Sequence, residues 1–95
     1  MINSIILLKG KNYDENKSIY EQDLLEHGYY MKRLLKEGKL LLAGPFTDNT
    51  GGQIILKVED EIEATEIMNQ DPAVMKDIFS YEFKTWDVRF KTLTF

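Results

Sequence analysis

Cysteine is absent from the chain, which excludes disulfides, thiolate nucleophiles and zinc–sulfur centres. There is a single histidine; one imidazole without thiolates is a poor donor set for zinc or iron, and no second histidine is left to activate a serine. No apolar run approaches the roughly 18 residues of a membrane-spanning helix. The apolar stretch at residues 5–8 is too short for the h-region of a signal peptide. Positive charge is not in excess: 12 Lys and Arg against 16 Asp and Glu leave a formal charge of −4, the wrong sign for a surface that contacts nucleic-acid phosphates. The expectation is a cytoplasmic protein with no membrane and no nucleic-acid partner. On that expectation the sequon Asn16-Lys17-Ser18 is accidental.

What is present suits one domain, residues 1–95, with 43% apolar residues and a thin core. Residues 2–9 are rich in β-branched side chains and read as a strand. Ser18 followed by Glu21 is a capping-box pattern that predicts a helix running to about Glu37, with Leu24, Met31, Leu34 and Leu35 on its apolar face. Gly38 stops it in a left-handed C-cap, and Gly28 interrupts its interior at a cost of roughly 1 kcal/mol against alanine. Residues 40–43 form a second strand ending at Gly44-Pro45, residues 47–52 a turn, and residues 53–58 a third strand. Asp60, with Glu63 as reciprocal partner, caps a second helix carrying Ile62, Ile67 and Met68. Pro72 opens a short third helix over 73–79, and residues 81–90 form a fourth strand. The order βαββαβ is the ferredoxin-like α+β arrangement, with an antiparallel four-stranded sheet and both main helices on one face.

The strands do not alternate as a sheet covered on one side should. Ile5 and Leu7 oppose Ile6 and Leu8 on the first strand, and Leu40 and Leu42 oppose Leu41 and Ala43 on the second. A second face needs cover, and a second copy of the chain is the economical source, so a homodimer is expected.

Candidate chemistry is sparse. His27 lies three residues after Leu24, four before Met31 and seven before Leu34, which turns it toward the apolar side of its helix. It fits either a buried imidazole satisfied by a carbonyl or carboxylate, or a general acid/base oriented by an aspartate. Asp71 precedes Pro72 and fits an N-cap; a capping carboxylate is also held rigidly enough to serve a site. The acidic residues between Glu59 and Glu66 read as a solvated helix face, the glycines at 51 and 52 as a hairpin turn, and the cluster Lys32, Arg33, Lys36 and Lys39 as the wet side of a helix end. Trp86 and the aromatics near it read as core or dimer contact.

Taken together, His27, Gly38, the run Lys39-Leu40-Leu41-Leu42-Ala43-Gly44-Pro45, Gly51-Gly52 and Asp71-Pro72 resemble the YCII family of YciI-like proteins, over nearly the whole chain. The resemblance implies a dimeric α/β barrel built from ferredoxin-like units, with His27 and Asp71 as the active-site pair. It implies a cleft shaped by the Gly44-Pro45 turn, with Gly44, Pro45 and Phe46 against the substrate, and no cofactor. One branch of the family eliminates hydrogen chloride from a chlorinated hydroxyhydroquinone with this His and Asp, so lyase- or isomerase-type proton transfer is the expected class; a metabolite-binding or regulatory dimer is the alternative. Many members carry an arginine shortly before the histidine, where this chain has Asp23, Leu24, Leu25 and Glu26, so the resemblance does not carry over an anion-binding group there.

Overall fold

Alternation along the first strand decides which way the sheet faces. In the computed structural model, which describes residues 1–94, β1 spans Ile2–Lys9, with Asn3, Ile5 and Leu7 buried and their neighbours less so. It pairs antiparallel with β3, Gly51–Lys57, and with β4, Phe79–Thr85. β2, Leu40–Pro45, pairs antiparallel with β3. The sheet order is β2-β3-β1-β4, which is that of a ferredoxin-like α+β fold. Three α-helices complete it: α1, Leu25–Lys36; α2, Glu61–Asn69; and α3, Pro72–Met75. None is long and apolar enough to cross a membrane.

Helix α1 begins later than the capping pattern predicts. Ser18 and Glu21 do form a reciprocal box, but around a single 3-10 turn, Ile19–Glu21. The backbone leaves the helical region at Gln22 (φ −66°, ψ 160°). The Gln22 amide donates to the carbonyls of Asp14, Lys17 and Ser18 and accepts from the Asp14 N–H; the side chain ties down the preceding loop, and the chain restarts as α1 beyond it. The other end is as expected. Gly38 has φ 75°, its N–H donates to the Leu35 carbonyl and that of Lys39 to the Leu34 carbonyl, the paired bonds of a Schellman cap. Leu34 and Met31 enter the core, whereas Leu35 is exposed.

Helix α2 is capped by Asp60, whose carboxylate accepts from the Glu63 N–H. Glu63 does not reciprocate on Asp60: it accepts from the Glu59 N–H, and its other oxygen takes Lys39 at 2.6 Å. Ala64, Ile67 and Met68 pack inward, and Ile62 lies on the exposed side. The Tyr30 hydroxyl donates to the Ile67 carbonyl at 2.7 Å and ties α1 to α2; burial raises its pKa.

The last two elements are displaced from the sequence expectation. α3 ends at Met75, Asp77 turns the chain at φ 57°, and β4 starts at Phe79, so Trp86 and Phe90 lie beyond the strand. Phe79, Tyr81 and Phe83 pair with Lys9, Leu7 and Ile5, on the helix side, and Ser80, Glu82 and Lys84 share the other face with Ile6 and Leu8. The open face therefore carries Ile6 and Leu8 of β1 and Ile55 of β3 beside the polar Gln53 and Lys57, and is polar along β4. The expectation that the chain has no cover of its own for this face needs correction. Ile55 lies on it yet is only 4% exposed, and residues 88–93 border, with Leu42, Gln53 and Ile55, a depression of about 840 Å3. The tail after β4 supplies part of the cover.

Candidate functional site

Two backbone features bring His27 and Asp71 together. The delayed start of α1 puts His27 in its first turn, facing Phe79 edge-on with ring centroids 6.3 Å apart. Asp71 stands between α2 and α3 in extended conformation (φ −65°, ψ 122°), with Pro72 at the first helical position. Its Oδ1 accepts from the Ala73 N–H at 3.0 Å. The same carboxylate meets His27 Nδ1 at 2.8 Å through Oδ1 and 2.9 Å through Oδ2. The cap expected from local sequence and the contact with His27 share one carboxylate.

The pair is asymmetric toward solvent. The Asp71 side chain is 0% exposed and that of His27 is 17% exposed. An ionised carboxylate can only accept, so this pairing calls for a proton on Nδ1; in the neutral ring the lone pair then sits on Nε2. Nε2 has no hydrogen-bond partner among the described residues. The ring lines a cleft of about 560 Å3 between α1 and the β2 side of the sheet.

The cleft wall is mostly hydrocarbon, with Tyr20, His27 and Gln53 as its polar members. Leu24, at the N-cap of α1, and Gly28, Met31 and Leu35 within it form one side; Leu40, Ala43, Gly44 and Pro45 of β2 form another; Phe79 closes it beside His27. Of the sequence-expected contact residues, Gly44 and Pro45 are in the wall and Phe46 is not. The Phe46 N–H donates to the Gly51 carbonyl at 2.8 Å, holding the β2–β3 hairpin shut instead. That hairpin lets the wall approach closely because a Cβ at Gly52 would meet the Gly44 carbonyl at 2.8 Å. Tyr20 and Ile19, part of the wall through the 3-10 turn, were not legible as site residues, because the sequence places them inside a longer helix. No cluster of three or more metal-ligating side chains occurs among the described residues.

The class defined by these features is a ferredoxin-like α+β domain with a buried carboxylate against a histidine that lines an apolar cleft. The profile of the YCII-related domain matches residues 5–87, and the chain belongs to that family. An uncharacterised protein, YjpA, of Bacillus subtilis is 30% identical over 69 residues, covering 73% of this chain and 81% of that one. Among solved structures, the 5-chloro-2-hydroxyhydroquinone dehydrochlorinase TftG of Burkholderia phenoliruptrix, in complex with 2,5-dihydroxybenzoquinone, superposes with a TM-score of 0.71 at 21% identity. The match covers 92% of this chain and 94% of that one. At that identity the likeness is one of fold.

Proposed function

We propose that this chain is a cofactor-independent small-molecule enzyme of the lyase or isomerase type, acting in the cytoplasm as a homodimer, in which His27 moves a proton and Asp71 positions His27. The observation that carries the reading is the 2.8 Å contact of His27 Nδ1 with a fully buried carboxylate, on a ring that lines the cleft. Asp71 fixes the tautomer and stabilises the imidazolium that forms when Nε2 takes a proton. Being sealed from the cleft, it does not itself meet a ligand. Gly44 and Pro45 shape the opposite wall, and Phe46 acts through the hairpin.

The fold neighbour's substrate suggests a step. Nε2 takes a proton from the ligand, the freed electron pair forms a double bond, and chloride leaves with its bonding pair, for a net loss of hydrogen chloride. An enol-to-ketone isomerisation uses the same proton transfer without a leaving group. The apolar patch on the open face, Ile6, Leu8 and Leu42, supports a second copy packed there.

The test is chloride release from 5-chloro-2-hydroxyhydroquinone, without added metal or cofactor, by wild type and His27→Gln. Release by the wild type that falls by roughly 100-fold or more in the variant supports the reading; equal rates in both overturn it. A second reading, a metabolite-binding module without turnover, is favoured by one observation: among the described residues, His27 is the only ionisable group in the wall apart from the Tyr20 phenol. Binding of 2,5-dihydroxybenzoquinone with no chloride release from any substrate tried would select it.

A further inference from the structure

Along the cleft side of α1, Leu24, Met31 and Leu35 stand four residues before, three after and seven after Gly28, and all four line the cleft. Those are the spacings of one helix face, so the stripe calls for an apolar side chain at position 28, where there is none. Nothing in the backbone requires glycine there. Gly38 and Gly51 are the described glycines with positive φ, and a Cβ built on Gly28 would have nothing within 4 Å. A glycine in a helix interior sacrifices stability relative to alanine. Packing does not demand it either; what it leaves is space, next in sequence to His27.

We infer that Gly28 is a specificity-determining residue: it keeps open, beside His27, the room for an apolar part of the ligand about the size of a second fused ring. This rests on the reading of the His27 cleft as the ligand site. Among the described residues the wall contains no Lys, Arg, Asp or Glu, so the part of the ligand seated there is uncharged; a buried charge without a partner is strongly disfavoured.

The experiment titrates wild type, Gly28→Ala and Gly28→Leu with two uncharged probes, phenol and 2-naphthol, following the His27 ring signals by NMR, and melts each protein. The wild type binds both probes. Gly28→Leu binds phenol but loses roughly 10-fold or more in 2-naphthol affinity. Gly28→Ala weakens 2-naphthol while its melting temperature rises by roughly 3–8 °C, and this variant decides the matter if the leucine protein does not fold. Undiminished 2-naphthol binding by both variants, or a lower melting temperature for Gly28→Ala, overturns the inference and leaves the site reading standing. Failure of the wild type to bind either probe overturns both.

Discussion

One carboxylate, that of Asp71, holds His27 Nδ1 at 2.8 Å and accepts the Ala73 N–H at 3.0 Å with the same oxygen. Fold and site share this atom, and substitutions can separate the two duties. Asparagine caps a helix as well as aspartate does, so Asp71→Asn should keep stability within about 1 kcal/mol of wild type. Its amide NH2 can stand where Nδ1–H needs an acceptor, so chloride release should fall by roughly 100-fold. Asp71→Ala removes both bonds and should cost about 1–3 kcal/mol in urea unfolding as well. Equal damage to stability by both variants would show the residue to be structural only.

Asn3 is 0% exposed on the helix side of β1, and neither polar atom of its side chain has a hydrogen-bond partner among the described residues. Its strand neighbours are Leu56 and Thr85. Replacing an unsatisfied amide with a hydrocarbon of similar size is expected to stabilise by about 1–2 kcal/mol. Asn3→Leu should therefore melt several degrees higher. A lower melting temperature would mean that the amide is satisfied inside the protein.

Lys39 and Glu63 form a 2.6 Å ion pair that joins the start of β2 to α2. The bond from Lys39, and then that from the Glu59 N–H, holds the Glu63 carboxyl below its ordinary 4.5. A carboxyl lowered on folding contributes stability that is present above its unfolded value and lost as pH falls through the folded one. The pair's contribution should thus be intact at neutral pH and fade below about pH 4.5. Lys39→Met should flatten that acid limb of a melting-temperature profile; an unchanged profile would assign the acid sensitivity to other groups.

The open face tests the proposed dimer. Ile6 lies on it between Gln53 and Glu82, away from the core. If two sheets face each other, the wild type should have twice the 11.1 kDa chain mass at micromolar concentration, and Ile6→Lys should reduce it to one. A wild-type mass of one chain would contradict the dimer.

Sequence reading reached the element order, the Gly38 stop, the hairpin and the inward setting of His27, because each follows from local spacing or from a residue with a singular backbone preference. It misplaced the start of α1, since the capping box of Ser18 and Glu21 is the same for one turn as for several, and the turn ends where Gln22 bonds back to the loop of Asp14, Lys17 and Ser18. It placed β4 two residues late and carried it through Trp86 and Phe90, since aromatic content does not mark where pairing with β1 ceases. The bond between His27 and Asp71 spans 44 residues. No local pattern encodes it: taken separately, the two residues read as an inward histidine and a helix cap, and the family resemblance alone joined them. Their contact, the burial of one and the partial exposure of the other, and the cleft beside Gly28 exist only once the sheet order has brought α1 against the step before α3. The sequence by itself determined which residues could do chemistry. Tertiary packing decided that His27 lines the cleft and that Asp71 lies buried behind it.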